Sequence, residues 1–380
     1  MKLVLLTTLP QLPEVERALE GLGYSVRVVR VSDLRPKSVA KALEGLSYDY
    51  ALVPGSSPYD YSGVPRVVKG TVSAHALPFL LKVVPPSSLS PSLSAEKAAG
   101  DRMREVAEEA LRALPRTIAF SIGALEVPAR PPPMLLASDV YHKEGRSAEE
   151  TAEEAMYRER EGANLIVLSA DLRAEEGDYL RALEEVMNAC KVPIAADAGG
   201  LETMVKAMDM GASIGMSLSY SLLPEVPKRL RDRPYVIIPE RMGSWRERAE
   251  ELRRALQRAR ELGYEKVIMD PVVNPPVYPG SLQSLAAAQE LSDLGTPLLL
   301  GLNNAVELMD VDTHASVAVL VFLAAEAGVS IVMVGEESYK ARGNTREGRN
   351  AIAMAMAALA LRTPPKDIGY DALKFKKKRP

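Results

Sequence analysis

The chain of 380 residues contains few groups that bind transition metals or form cross-links: one cysteine and three histidines. A single cysteine, Cys190, excludes an internal disulfide and fits a reducing cytosol, so we expect a cytoplasmic protein. His75 falls in the first part of the chain, and His142 and His314 lack the spacing of a metal site. With so few Cys and His ligands, Mg²⁺ held by oxygen ligands is the metal hypothesis that stays open.

Long apolar runs and strong net charge are also missing. No run approaches the roughly 18 apolar residues of a membrane span, and no secretory signal opens the sequence, so we expect no membrane partner. The net charge of −3 offers no broad basic surface for nucleic acid. Only KFKKKRP (374–380) is strongly basic, within a predicted tail over 366–380. The abundance of Glu and Arg is typical of thermophiles.

What the sequence does contain is a regular alternation of apolar, strand-like runs with amphipathic helical segments, which predicts a parallel α/β fold. We predict a smaller N-terminal α/β domain with a parallel sheet over 1–127, and a stiff linker, PARPPP, over 128–133. The strand candidates of this domain are KLVLLTT (2–8), VRVVRV (26–31), YALVPG (50–55) and TIAFS (117–121).

Eight further strand candidates, each followed by a helical stretch, predict a (β/α)8 barrel over 134–365. An open, doubly wound sheet uses similar units, but eight consecutive units without a reversal favour closure. The candidates are MLLAS (134–138), NLIVLS (164–169), VPIAAD (192–197), ASIGMS (212–217), YVIIP (235–239), KVIMD (266–270), TPLLLGL (296–302) and VSIVMV (329–334).

Polar residues follow these strands at the end where (β/α)8 barrels place their sites. Asp197 and Asp270 each end a continuous apolar run, where a carboxylate costs several kcal/mol unless something pairs with it. Helix capping is the competing role for Asp139 and Asp171. The other candidate ligand contacts at strand ends are Asp139, Asp171, Ser217, Asn274, Asn303 and Asn304.

Converging carboxylates suit a ligand rich in N–H donors. An ionised Asp only accepts hydrogen bonds and can take two parallel ones from a flat, amidine-like edge. The 2-amino-4-oxopyrimidine edge of a pterin is such a group, and an Asn beside it can meet both donors and acceptors. The pattern is therefore compatible with a pterin or another ligand of this kind, and Mg²⁺ held by oxygen ligands stays open beside it.

Several segments resemble the pterin-binding barrels, a group that comprises dihydropteroate synthase and the methyltetrahydrofolate-type methyltransferases. VPIAADAGGLETMVKAMDMGASIGMS is similar to their third and fourth units, KVIMDP (266–271) to their sixth strand and LLLGLNN (298–304) to their seventh. The resemblance implies that Asp197 and Asp270 hold the pterin.

The whole chain resembles the archaeal dihydropteroate synthase-related proteins, which place a smaller α/β domain ahead of the barrel. The matching segments are YDYALVPGSSPYD, VVKGTVSAHALPFLL (67–81) and GEESYKARGNTREGRNA.

The chain departs from the synthases at four places. Their opening Asn-x-Thr-x-Asp-Ser-Phe signature is replaced by SDVYHKEG (138–145). Met216-Ser217 stands where they have Asn-Asp, Asn303-Asn304-Ala305 replaces their Ser-Arg-Lys, and their Arg-x-His on strand eight is absent. GLNN instead resembles the Gly-Leu-Ser-Asn of the methyltransferases, which implies that Asn304 touches the reacting end of the pterin.

A basic loop after strand eight carries Lys340, Arg342 and Arg346. This region is a frequent phosphate site in such barrels, so the loop is a candidate grip for phosphate or diphosphate. The competing interpretation is a solvated loop that caps its helix.

Three functions follow as hypotheses. The first is a transferase that joins a pterin methyl diphosphate to an arylamine in folate- or methanopterin-type synthesis, with Asp197, Asp270 and Asn304 as catalytic residues. The second is methyl transfer from a reduced methylpterin to a corrinoid protein, and the third is a non-catalytic pterin-binding protein. A homodimer, common among relatives, and Mg²⁺ stay open as partners.

Overall fold

A computed structural model describes residues 1–8, 13–171, 173–241 and 243–372. The basic stretch 374–380 lies outside these residues. The chain packs into two compact units, one formed by Met1–Pro115 with Met354–Asp371 and the other mainly by Arg116–Ala353. This division by packing differs from the limits expected above, 1–127 and 134–365, which stay a prediction.

The first unit contains a parallel sheet of four strands, which confirms the predicted small α/β unit. The sheet order is β2-β1-β3-β4, and Leu3 of β1 lies opposite both Val26 and Tyr50. Five of the six residues of β1 are buried, as expected for a strand inside a parallel sheet. The strands are β1 (Lys2–Thr7), β2 (Ser25–Arg30), β3 (Tyr50–Val53) and β4 (Val67–Lys69).

Helices of the first unit bury apolar stripes against this sheet; Val15 and Leu19 of α1 are examples. The helices that begin in the N-terminal segment are α1 (Pro13–Glu20), α2 (Pro36–Leu43), α3 (Leu77–Val83), α4 (Ala95–Ala99) and α5 (Met103–Ala113).

The second unit opens with an antiparallel hairpin, β5 (Ile118–Ile122) and β6 (Leu125–Pro128). Gly123 turns between the strands with a φ of 57°, a conformation that favours glycine. Ile122 and Val127 pack into the barrel core. The segment TIAFS is therefore not the last strand of the first unit's sheet, because its partner is the strand that directly follows it.

The eight predicted strands form one parallel sheet in the order β12-β11-β10-β9-β8-β7-β14-β13. A bridge between Met269 and Leu298 joins the two outer strands, and the Met269 N–H donates to the Pro297 carbonyl at 2.9 Å. The (β/α)8 barrel is thereby confirmed. Its strands are β7 (Leu135–His142), β8 (Leu165–Ala170), β9 (Ile194–Asp197), β10 (Ile214–Leu218), β11 (Tyr235–Ile237), β12 (Val267–Met269), β13 (Leu299–Gly301) and β14 (Ile331–Gly335).

Helices follow every barrel strand except β10, where two short 3-10 turns stand in a segment broken by Pro224 and Pro227. Across the described ranges no helix is both long and apolar enough to cross a membrane. The helices are α6 (Ala148–Arg160), α7 (Glu176–Ala189), α8 (Leu201–Met210), α9 (Trp245–Glu261), α10 (Ser281–Leu291), α11 (Asn303–Val306), α12 (Thr313–Glu326) and α13 (Asn344–Leu361).

Candidate active site

The inner face of the barrel changes from apolar to acidic at the carboxyl ends of its strands. In β7, Leu135 and Ala137 belong to the barrel core, and Asp139 continues the same face. In β9, Ala195 belongs to the core and Asp197 follows two residues later. Strand periodicity therefore delivers both carboxyl groups to the barrel mouth.

Ser169 of β8 connects two of these carboxyl groups. Its Oγ donates to Asp139 Oδ1 at 2.6 Å and lies 3.3 Å from Asp197 Oδ2. A hydroxyl has one proton to donate, so the two carboxyl groups compete for it. Asn303 Nδ2 donates to Asp139 Oδ2 at 3.1 Å. The structure thus brings together the predicted residues Asp139, Asp197 and Asn303.

Asp270 follows β12 and is 8% exposed. Its Oδ1 accepts the backbone N–H of Val272 at 2.7 Å. The guanidinium of Arg248 donates to the carbonyls of Gly243 and Val272, both at 3.0 Å, and not to Asp270. Its positive charge nevertheless lowers the pKa of Asp270. In the described part of the chain, no ion pair neutralises Asp270 or Asp197.

The three carboxyl groups have strongly raised pKa values. Burial raises the pKa of Asp139 to about 7, that of Asp197 to about 6 and that of Asp270 to about 7. The charge of Asp197 adds to the rise at the other two. The raised pKa values mean that the ionised forms of these carboxyl groups are disfavoured. Such groups are typical of a site that receives N–H donors or a cation.

Two residues of this site were not among the sequence candidates: Ser169 and Tyr141. Tyr141 lies beside Ser169 in the β7–β8 register, and burial together with the charges of Asp139 and Asp197 raises its pKa to about 12. The apolar run MLLAS suggested that strand one ends near residue 138, whereas β7 continues to His142. The sequence does hold a signal for Tyr141: it lies two residues after Asp139, so in a strand both side chains point to the same face of the sheet.

The remaining pterin-binding candidates occupy different surroundings. Asn274 is buried, its N–H donates to Ser284 Oγ at 3.0 Å, and its side-chain Nδ2 has no partner among the described residues. Asp171 accepts the Arg173 N–H at 3.0 Å, a local turn contact. Ser217 is half-buried in β10, and Asn304 is exposed in α11. Among the residues that the structure describes, no hydrogen bond or ion pair joins these four residues to Asp139, Asp197 or Asp270, and their roles stay predictions.

The three basic candidates separate in the structure. Lys340 Nζ donates to the carbonyls of Val306 at 3.2 Å and Glu307 at 3.1 Å, and also to that of Met309. Arg346 forms an ion pair with Glu161. Arg342 is exposed and lines a cleft.

That cleft, of about 710 Å³, lies beyond the ends of β7 and β14, and Lys143 also lines it. Its charges are mixed: Lys143 pairs with Glu337, and Glu336 lies 2.7 Å from the buried Arg158. The charge of Glu337 also acts on Asp139. Because Gly335 lies opposite Asp139 in the β14–β7 register and directly precedes the cleft residue Glu336, the cleft adjoins Asp139.

Across the described ranges, no three Asp, Glu, His or Cys side chains are grouped so that they could hold a metal ion.

The comparisons with known proteins bear on the fold. No family model matches the chain. An uncharacterized protein of Methanocaldococcus jannaschii is 24% identical over 356 residues, which cover 87% of this chain and 67% of that protein. This archaeal relative is consistent with the expected archaeal subgroup.

Solved structures of dihydropteroate synthases resemble the barrel. The enzyme of Xanthomonas albilineans, with 4-aminobenzoic acid, has a TM-score of 0.53 at 17% identity over 64% of this chain and 99% of its own. The enzyme of Yersinia pestis, with a pterine-sulfa conjugate, has a TM-score of 0.51 at 16% identity over 63% and 98%. The likeness shows that the barrel has the fold of the dihydropteroate synthases, as the sequence resemblance implied.

Proposed function

We propose that this protein is a pterin-binding transferase that joins a dihydropterin methyl diphosphate to an arylamine. The observation that carries the proposal is a set of three carboxyl groups, Asp139, Asp197 and Asp270, at the ends of barrel strands in a dihydropteroate synthase fold. Asp139 and Asp270 are buried and Asp197 is half-buried, and none of the three forms an ion pair among the described residues. Similar barrels hold a pterine-sulfa conjugate and 4-aminobenzoic acid. Both ligands match the two substrates proposed here.

Asp197 and Asp270 are the groups that hold the ring. Each keeps acceptor capacity, because Ser169 lies 3.3 Å from Asp197 and Asp270 accepts a single N–H. The ring N–H and exocyclic NH₂ of a pterin supply the missing donors. Asp139 already accepts from Ser169 and Asn303, so it is a positioning residue that orients its neighbours.

The reaction needs little from the protein beyond orientation and charge. The arylamine nitrogen attacks the methylene carbon, the bond from that carbon to the diphosphate oxygen breaks with its electron pair, and the amine releases a proton. The ionised carboxylates stabilise the positive character that develops on the pterin side as diphosphate leaves. Asn304, exposed in α11, is the proposed contact of the reacting end.

Arg342 is the cation proposed for the leaving group, because it lines the cleft beside Asp139. Lys143 also lines this cleft, but it is paired with Glu337. Lys340 and Arg346 already have protein partners, which makes them weaker candidates than the sequence suggested. Mg²⁺ would enter together with the diphosphate, whose charge it would neutralise.

Methyl transfer from a reduced methylpterin to a corrinoid partner is the second candidate. Lys340 and Arg346 already contact protein groups, which favours this reaction. Methyl transfer releases no diphosphate and therefore needs no cations to bind it. The two candidates share the ring site and differ at the cleft.

Calorimetric titration of the full chain with dihydropterin, and then with its methyl diphosphate ester, tests the proposal. We expect both to bind and the ester to bind about tenfold more tightly. The ester and 4-aminobenzoate together should release diphosphate. Asp197→Asn should weaken both ligands by about 2 kcal/mol with little change in melting temperature.

Matched variants of the two arginines locate the leaving group. Arg342→Met should remove the extra affinity for the ester and leave dihydropterin binding unchanged, whereas Arg346→Met should change neither. Equal affinity for the two ligands without diphosphate release would support methyl transfer. A protein that binds no dihydropterin would contradict both candidates.

A further inference from the structure

The first unit contains a cavity of its own, of about 360 Å³, beyond the carboxyl ends of β3 and β4. Open parallel sheets bind their ligands at this edge, and the volume lies in the range of small-molecule sites. Two buried residues of opposite charge, Lys69 and Glu96, line the cavity.

Lys69 is the last residue of β4 and is only 5% exposed. Its ammonium group donates to the Ser57 carbonyl at 2.8 Å. Among the described residues no carboxylate lies within ion-pair distance of it. Lysine is seldom buried without a paired charge, and an ammonium group has three protons to donate. The cavity therefore presents a cation whose hydrogen bonds are incomplete.

Glu96 presents the complementary half of the same cavity. It is 3% exposed, and its Oε1 accepts the Val72 N–H at 2.7 Å. Its Oε2 is buried and has no hydrogen-bond partner in the described part of the chain. A buried carboxylate oxygen left without a donor is costly, and a ligand N–H would satisfy it.

We infer that this cavity binds a small molecule that carries both an anionic group and an N–H donor. The anionic group pairs with Lys69, and the N–H donates to Glu96. Lys97, Lys366 and Asp367 also line the cavity and are exposed, so two positive charges and one negative charge surround its entrance and favour an anion there. The anionic group comes either from the carboxylate of an amino acid or from the phosphate of a nucleotide.

The site is built on a close backbone approach. The Gly55 N–H donates to the Thr71 carbonyl at 2.9 Å, and a side chain at Gly55 would collide with the Gly70 carbonyl. Any side chain there would separate the two loops that carry Ser57 and Val72. Glycine at this position keeps the two charged residues facing one space.

Calorimetry on the full chain with L-glutamate, and separately with adenosine monophosphate, tests the inference and distinguishes the two sources. We expect one of the probes to bind with a dissociation constant below about 1 mM. Lys69→Met and Glu96→Gln should each weaken that probe by at least about tenfold. Failure of both probes to bind the unmodified protein, or unchanged affinity in both variants, would overturn the inference.

Two controls test whether Lys69 has only a structural role and whether the probe binds in the barrel instead of this cavity. Lys69→Met removes a buried charge that lacks a counter-ion, so its melting temperature should equal or exceed that of the parent. A drop of several degrees would make Lys69 structural and overturn the inference. Asp197→Asn should leave probe binding intact. Loss of binding in that variant would place the probe in the barrel and would also overturn the inference.

Discussion

Asp270 shows how a single buried carboxyl group makes the stability of the protein depend on pH. One backbone N–H satisfies one of its oxygens, and burial raises its pKa to about 7. In the unfolded chain the pKa is close to 4. The contribution of Asp270 to the free energy of unfolding is therefore fully present below about pH 4 and is lost as the pH rises through about 7.

The variant Asp270→Asn should lack this pH dependence. We expect the free energy of unfolding of the variant, relative to the parent, to rise by about 1–3 kcal/mol between pH 5 and pH 8, because only the parent ionises there. Urea unfolding at the two pH values measures the change. A smaller relative stability of Asp270→Asn at pH 8 than at pH 5 would contradict the pKa argument.

At this scale the acidic residues and Asn303 could be predicted from the sequence, but the roles of Ser169 and Tyr141 could not. Asp197 follows directly from the apolar run VPIAA, because a carboxylate at the end of a buried strand has few structural roles. Tyr141 and Ser169 look like ordinary strand residues in sequence. Their role depends on the register that sets Tyr141 beside Ser169 and Ser169 beside Asp197, and register is a long-range property.

The short helix α11 depends on a residue far along the chain. A helix of four residues leaves its last carbonyls without intrahelical donors. Lys340 supplies donors to the carbonyls of Val306, Glu307 and Met309. The first residue of α11, Asn303, donates to Asp139. Lys340 therefore supports the element that carries one hydrogen-bond partner of Asp139.

Lys340→Met separates this structural role from a phosphate-binding one. As a support of α11, the substitution should lower the free energy of unfolding by about 1–2 kcal/mol and weaken dihydropterin and its diphosphate ester equally. Arg346→Met removes an ion pair whose arginine is exposed to solvent, so it should change the stability less than Lys340→Met does. Weakening of the ester alone, at unchanged stability, would instead establish Lys340 as the phosphate contact.

Two elements show where local sequence signals fail. The hairpin of β5 and β6 was read as a single strand of the first unit, because an apolar run does not reveal which sheet receives it. The expected helix after β10 is replaced by turns, although Pro224 and Pro227 argued against a helix there. Both errors concern connections, whereas all eight barrel strands were found from their apolar runs.

At the scale of the whole molecule, the first unit is discontinuous in sequence. Its core combines residues of the N-terminal segment with Ala357, Leu361 and Ile368. The sequence could not assign 354–365 to this unit, because an apolar helical run after the eighth strand is also what a barrel requires.

Because the first unit is discontinuous, we expect a substitution near the C-terminal end of α13 to destabilise the N-terminal sheet. Leu361 is fully buried in the core that also contains Leu80 and Met103, so Leu361→Ala should destabilise the first unit by about 2–4 kcal/mol. Hydrogen exchange should then show lower protection for the amides of β1, while those of β9 keep theirs. The exposed neighbour Arg362→Ala should leave both strands unchanged. If β9 lost as much protection as β1, the C-terminal segment would stabilise both units as one cooperative structure, and its assignment to the first unit alone would be wrong.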